Sequence, residues 1–197
     1  MRDRDIRKAL KAQVLRNDLK DPNTVVIDEL GLRHGKSRVD VGIINGAISG
    51  LEIKSAYDNL RRLPRQVAVF NTVLDYVTLV LTEKHIEKAR AIIPEWWGVL
   101  ETSTDMTGTI RFDCKRAAKK NTSPEALAVA KLLWREEALN VLEQMDLAAG
   151  LRSKPRIVIY RKLTHVTTLT ELQAIVRQQL RIRKSWRSGE PRTLGGD

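Results

Sequence analysis

Three ionisable side chains lie within two predicted strands whose other residues are largely apolar. Asp40 is in the first of these strands, and Glu52 and Lys54 are in the second. Glu52 and Lys54 are two residues apart and therefore share one face of their strand. Asn45-Gly46 joins the two strands and is a strong signal for a tight hairpin turn. Two carboxylates and an amine can hold a cation and act on an anionic ligand, provided that the hairpin brings Asp40 to the other two.

The register of the hairpin decides whether it does. A strict two-residue loop at positions 45 and 46 would pair Ile44 with Ala47 and place Asp40 and Glu52 on opposite faces. A three-residue loop, 45–47, would pair Ile44 with Ile48 and Asp40 with Glu52. In this second register the two carboxylates lie on the same face as the lysine.

The second register also separates polar from apolar residues, and we therefore predict it, or a bulge at Gly50 with the same effect. It pairs Gly42 with Gly50 and would leave room for a ligand beside the carboxylates. It places five apolar side chains together on the opposite face as core, namely Val39, Val41, Ile43, Leu51 and Ile53.

Two carboxylates so close together repel each other unless a cation lies between them. Oxygen ligands without Cys or His suit Mg²⁺ or Mn²⁺, and Mg²⁺ often takes only one or two carboxylates and completes its shell with waters and phosphate oxygens. Such an ion can polarise a phosphodiester and supply hydroxide near neutral pH. A neighbouring lysine can stabilise charge that grows on the phosphate.

The predicted elements that position these residues follow the order α-β-β-β-α-β. This order implies a meander of three strands, a crossover helix and a parallel fourth strand in a mixed sheet, an α/β or α+β fold. A further hairpin follows. The predicted helices are 3–18, 63–72 and 82–92, and the predicted strands are 24–28, 38–44, 48–54, 75–82, 98–102 and 109–114.

The C-terminal third is predicted to be a basic helical extension, 115–187, beyond a core of residues 1–114. Capping boxes at Thr122–Glu125 and Thr168–Glu171 open a long helix to about Met145 and a last helix to about Lys184. Trp134 belongs to the stripe of the long helix that is expected to be buried. Residues 188–197 are predicted to be a disordered tail.

Charge points to a polyanionic partner. The net charge is +11, and residues 151–197 hold 11 Lys and Arg against 3 Asp and Glu. Nucleic acid is the commonest such partner, and Arg177, Arg181 and Lys184 form a basic stripe on the last helix. A single cysteine excludes an internal disulfide framework or a cysteine-rich metal site. No apolar run is long enough to span a membrane, so we expect a soluble, cytoplasmic protein.

The string Asp40-x11-Glu52-Ile53-Lys54 in a hairpin resembles the signature of the PD-(D/E)XK nuclease superfamily, although Val39 stands where that signature has Pro. The element order is similar to the restriction-endonuclease-like core of that superfamily. A longer string, which runs from residues 26–30 through residues 63–66, resembles a branch of small, largely uncharacterised bacterial and prophage proteins, and so does the stretch 133–137.

The resemblance implies a role for each matching residue. Asp40 and Glu52 would be metal ligands, with the backbone carbonyl of Ile53 as a third, and Lys54 would be the catalytic lysine. Glu29 matches an additional acidic position near the metal. Gln66 matches the glutamine of a helix motif near the site, in which the aromatic residue is Phe70 rather than Tyr.

The resemblance implies a nuclease that hydrolyses phosphodiester bonds in DNA through a Mg²⁺-activated water. Three arginines that follow the second hairpin strand are candidates for phosphate contacts, namely Arg61, Arg62 and Arg65. Two alternatives remain open at this point. One is a catalytically silent module of the same fold that binds nucleic acid, and the other is an effector that cuts RNA.

Overall fold

The computed structural model describes residues 1–183, which form a six-stranded mixed sheet and seven helices. The strands follow one another across the sheet in chain order; β3, β4 and β5 run parallel, and the other neighbours are antiparallel. The predicted mixed sheet and the α-β-β-β-α-β order are confirmed. The strands are β1 (Val25–Leu32), β2 (Ser37–Ile44), β3 (Ile48–Lys54), β4 (Tyr76–Leu81), β5 (Gly98–Thr104) and β6 (Ile110–Arg116).

The helices differ more from the prediction than the strands do. The first helix ends at Gln13 rather than near residue 18, and a 3-10 turn, Glu83–His85, replaces the start of the third. The helices are α1 (Asp3–Gln13), α2 (Leu63–Phe70), α3 (Ile86–Arg90), α4 (Ala126–Ala130), α5 (Arg135–Gln144), α6 (Arg156–Val166) and α7 (Leu169–Ile182).

The hairpin between β2 and β3 has the predicted register from Ile44–Ile48 to Val41–Leu51, but the predicted pair of Asp40 with Glu52 is not part of this ladder. Ile44 pairs with Ile48 and Gly42 with Gly50, so the loop contains the three residues 45–47. The side chain of Asn45 accepts a hydrogen bond from the Ala47 amide at 3.0 Å and closes the loop. This register places Glu52 and Lys54 on the face of the sheet toward α2.

Two apolar clusters cover the two faces of the sheet. One face packs against α1 through Ile6 and Leu10, both fully buried. The other face carries the larger cluster, which includes Phe70 of α2 and Trp97 and extends into α4–α7. Because the C-terminal helices share this cluster with the sheet, residue 114 does not mark a break in the apolar core. The division into a core and an extension stays a prediction.

One of the five residues predicted for the α1 face lies elsewhere. Val41, Ile43, Leu51 and Ile53 lie in the cluster against α1, but Val39 lies in the cluster on the opposite face. Val39 pairs with Leu30, and Val41 pairs with Asp28, so Glu29 and Asp40 stand opposite each other between these pairs. Glu29 has a φ of 55°, in the left-handed region that a non-glycine residue rarely adopts. The two strands change face at this irregularity, which explains why alternation failed to place Val39.

The expected ligand space beside the two paired glycines is filled with side chains. A Cβ atom on Gly42 would lie 2.6 Å from Leu30 Cδ2, and one on Gly50 would lie 2.7 Å from Leu74 Cδ1. The two glycines therefore leave room for the side chains of Leu30 and Leu74 in the core. The prediction that they leave room for a ligand is wrong.

The long helix predicted from residue 122 to Met145 is two short helices with a break at 131–134. Within the break, the carbonyl of Leu133 accepts a hydrogen bond from the Tyr160 hydroxyl at 2.9 Å, and the carbonyl of Leu132 accepts one from Arg183. The side chains of Tyr160 and Arg183 thus donate where backbone N–H groups would donate in a continuous helix. The Glu137 carboxylate accepts a hydrogen bond from the Trp134 amide and caps the start of α5. Trp134 is 41% exposed rather than buried, and the Arg183 guanidinium stacks on its ring.

Across the described residues, no helix combines the length and the apolar character that crossing a bilayer requires. The predicted tail, 188–197, and the end of the predicted last helix at Lys184 lie outside the described part of the chain.

Candidate functional site

A closed ring of three hydrogen bonds joins β3 to α2. The Lys54 Nζ donates to Glu52 Oε1 at 2.6 Å and to Gln66 Oε1 at 3.1 Å, and the Gln66 Nε2 donates to Glu52 Oε1 at 2.5 Å. Glu52 and Lys54 are 2% and 8% exposed, so water competes little for these bonds. The structure thus brings together Glu52, Lys54 and Gln66, which the sequence singled out. Two donors bind the same oxygen of Glu52 and fix the orientation of its carboxylate.

Asp40 lies beside this ring and is held mainly by backbone and by α1. Its Oδ2 accepts a hydrogen bond from the Ile53 amide at 2.6 Å, and its Oδ1 lies 3.3 Å from Arg7 Nη2. Arg7 Nη1 also donates to the Asp40 carbonyl at 2.8 Å. The contact with Ile53 uses the amide of that residue, whereas the resemblance had suggested a role for its carbonyl.

Arg7 is the site residue that the sequence analysis missed. It lies on α1, 33 positions before Asp40, and no local spacing connects the two. Its guanidinium also donates to Glu29 Oε1 at 2.7 Å, so it connects the two carboxylates that face each other across β1 and β2. Glu29, predicted as an additional metal ligand, is half-exposed and engaged in this ion pair.

Burial and nearby negative charge raise the pKa values of the two carboxylates. Burial and the nearby charge of Glu52 raise the pKa of Asp40 to about 7, against the opposing effects of the Ile53 amide and Arg7. Burial also raises the pKa of Glu52, although Lys54 and Gln66 oppose this shift; the charge of Glu29 adds to it. A concentration of carboxylates with raised pKa values is typical of functional sites.

The donor set suits a hard divalent cation with few protein ligands. Glu52 Oε2 is buried and has no hydrogen-bond partner, and such a buried carboxylate oxygen is costly unless something binds it. Residues 1–183 contain no group of three or more His, Cys, Asp and Glu side chains arranged around one point. Mg²⁺ can bind through one or two carboxylates, so Asp40 and Glu52 fit it.

The predicted phosphate-contacting arginines lie at two separate places. Arg61 and Arg62 immediately precede α2, and Arg65 is in its first turn; all three are exposed. Arg177 and Arg181 lie on α7, where Arg181 donates to the Asn23 side chain at 3.0 Å. Lys184 lies outside the described residues.

Comparison with known proteins gives the chain its family. A family model described as "Bacteriophage P4 protein cII" matches residues 2–188. The chain belongs to the bacteriophage P4 protein cII family. A curated relative in this family, "Protein cII" of Enterobacteria phage P4, is 24% identical over 144 residues, which cover 73% of this chain and 54% of the relative. The chain thus spans about half the length of that relative.

A solved structure also resembles the chain. The SPO1766 protein of unknown function from Silicibacter pomeroyi aligns with a TM-score of 0.41 and 15% identity, over 77% of this chain and 91% of that one. This likeness is too low to carry an argument about the P4 cII family.

Membership in the P4 cII family corrects the function that the resemblance implied. The matching family and the curated relative are phage cII proteins, and neither description is that of a nuclease. The assignment to the PD-(D/E)XK superfamily and the DNA-hydrolysing function are therefore wrong, and the restriction-endonuclease-like identity of the core is not confirmed. The expected connection to phage proteins is confirmed.

Proposed function

We propose that this P4 cII family member is a cytoplasmic nucleic-acid-binding protein with a regulatory role, and that a divalent cation bound at Asp40 and Glu52 assists its contact with nucleic acid. One observation carries the cation site. Glu52 Oε2 is buried without a partner beside a second carboxylate, Asp40, whose pKa is raised to about 7. A divalent cation would satisfy Glu52 Oε2 and offset the repulsion between the two carboxylates.

The bound cation, Mg²⁺ or Mn²⁺, would supply positive charge to which a phosphate oxygen can bind. The residues around it would keep the two carboxylates in place. Lys54 and Gln66 hold Glu52 through Oε1 and leave Oε2 available. The Ile53 amide holds Asp40.

Charge supports nucleic acid as the partner, and we propose DNA as its class. The chain carries a net charge of +11, and a protein of this charge binds the phosphate backbone with an affinity that falls as salt rises. Arg61, Arg62 and Arg65 follow Lys54 in the chain and lie next to Gln66 of the ring. Their exposure at the start of α2 supports a contact with phosphates beside the carboxylates. Arg177 and Arg181 offer a second basic surface on α7.

The first experiment measures cation binding by the protein alone. We expect Mn²⁺ titration followed by electron paramagnetic resonance to detect one site in the wild type and to lose it in Glu52→Gln. Asp113→Asn is the matched control, because Asp113 is an exposed carboxylate on β6. Retention of the Mn²⁺ site by a folded Glu52→Gln protein would exclude the proposed ligand.

The second experiment measures nucleic-acid binding. Fluorescence anisotropy with labelled duplex DNA, single-stranded DNA and RNA should show salt-dependent binding that is tightest for DNA and stronger in Mg²⁺ than in EDTA. A tighter complex with RNA would replace DNA as the partner, and salt-independent or absent binding would overturn the proposal. Probe length is checked on a gel after each titration, because Mg²⁺-dependent shortening would contradict a role in binding without hydrolysis.

A further inference from the structure

Three cationic side chains lie near His34, which is in the turn between β1 and β2. Lys36 lies in the same turn, Lys131 follows α4, and Arg156 begins α6. All three are close enough for their charges to act on the imidazole, which is also stacked on Tyr160 with 5.6 Å between ring centroids. We name His34, Lys36, Lys131 and Arg156 the His34 cluster.

No carboxylate forms an ion pair with the cluster in the part of the chain that the structure describes. The charges that act on His34 are all positive, and neither Lys36, Lys131 nor Arg156 forms an ion pair among residues 1–183. Neighbouring arginines behave differently, since Arg135 pairs with Glu136 and Arg152 with Glu143. Like charges held together cost free energy through repulsion. An external anion would remove that cost.

The position of the cluster connects it to the carboxylate site. Because β1, β2 and β3 are antiparallel neighbours, the β1–β2 turn and the end of β3 at Lys54 lie at the same end of these strands. Lys36 lies just before β2 and precedes Asp40 by four residues, at most about 13 Å along the chain. This distance corresponds to roughly four nucleotides along one DNA strand. One nucleic-acid backbone could therefore reach both places.

We infer that the His34 cluster is a phosphate-backbone contact that extends the nucleic-acid interface from the carboxylate site to the β1–β2 turn and the start of α6. The inference rests on the proposed function and adds a surface that the sequence did not identify. The two exposed cations, Lys36 and Arg156, supply the charge. His34, fixed against Tyr160, supplies a ring nitrogen that can donate to a phosphate oxygen.

The test compares the full-length wild type with Lys36→Gln/Arg156→Gln. Affinity for a labelled duplex is measured by anisotropy over a series of salt concentrations. Removal of two phosphate contacts should reduce the slope of log K against log salt by about 2 and weaken binding at 0.1 M salt on the order of tenfold or more. Lys88→Gln is the control, because Lys88 is an exposed cation on α3, and it should leave the slope nearly unchanged.

A second readout reports on His34 itself. Burial, followed by the charges of Arg156, Lys131 and Lys36, lowers the pKa of His34. A phosphate bound among these groups would favour the imidazolium, so the NMR-detected pKa of His34 should rise when duplex DNA is added. A His34→Asn protein assigns the resonance.

The outcomes separate the two proposals. If the wild type shows no salt-dependent binding, the proposed function fails. If the wild type binds and the double variant keeps both its affinity and its salt slope, only the His34 cluster is excluded as a contact. An unchanged pKa of His34 in the saturated complex would exclude it as well.

Discussion

The Asp40 carboxylate accepts a hydrogen bond from the Ile53 amide, with 2.6 Å between Oδ2 and N. This bond crosses from β2 to β3 just beyond the last regular pair, Val41 with Leu51. A side chain thus continues the connection between the strands where the backbone pairing ends. The bond favours the ionised form of Asp40, yet burial and Glu52 outweigh it and raise its pKa to about 7.

This raised pKa predicts how stability changes with pH in the absence of cations. An Asp side chain in an unfolded chain has a pKa of about 3.9, so the folded protein retains a proton on Asp40 that the unfolded chain has lost. The free energy of unfolding should therefore fall as pH rises from about 4 to about 7. Asp40→Asn should flatten this fall, measured by urea denaturation in EDTA. Asp113→Asn is the control, and equal pH profiles for the wild type and Asp40→Asn would contradict the expectation.

The Lys54–Glu52 pair should be costly to break from one side. Lys54→Met leaves a buried carboxylate without its cation, and a loss of about 3–5 kcal/mol is typical of such changes. Glu52→Gln/Lys54→Met should recover most of that loss, because no uncompensated charge remains. A double-mutant cycle by chemical denaturation measures the coupling. Additive effects of the two substitutions would show that the pair does not act as a unit.

The glycines of β2 and β3 should differ sharply from the glycine of the hairpin loop. Gly42→Ala places a Cβ atom 2.6 Å from Leu30 Cδ2 and should cost about 1–3 kcal/mol through overpacking. Gly46→Ala meets no heavy atom within 4 Å and should change stability by less than about 0.5 kcal/mol. Thermal unfolding of both variants checks this contrast. A neutral Gly42→Ala would mean that Leu30 moves freely.

The ion pair between Glu137 of α5 and Arg183 should hold α5 and the end of α7 together. The Arg183 side chain is 4% exposed and donates from Nε to Glu137 Oε1 at 2.7 Å. Arg183→Met should destabilise the protein by about 3–5 kcal/mol, because Glu137 loses a buried partner. Arg161→Met, on the exposed side of α6, is the control for loss of an arginine. Equal stability of the two variants would contradict this role.

The sequence predicted the strand order and the β2–β3 register because both depend on local patterns. The three-residue loop followed from the separation of polar and apolar residues between the two faces of the hairpin. Gln66 followed from a resemblance to a helix motif, and the structure does bring it to Lys54.

Other features depend on contacts between distant residues. Arg7 reaches Asp40 from a separate helix. The position of Val39 on the opposite face of the sheet depends on the left-handed backbone of Glu29, which no residue preference predicts. The break before α5 requires donors from Tyr160 and Arg183. Hydrophobic periodicity cannot detect such donors, so the sequence predicted one helix where the structure has α4 and α5.

The sheet has a consequence for synthesis of the chain. Each strand from β2 to β6 pairs with the strand that immediately precedes it in the chain, so no strand inserts between two that formed earlier. The growing polypeptide can add strands at one advancing edge as it leaves the ribosome, without reopening pairs already made. Assembly can thus proceed directionally from β1 to β6. The helices α4–α7, which share the larger apolar cluster with the sheet, are synthesised after all six strands.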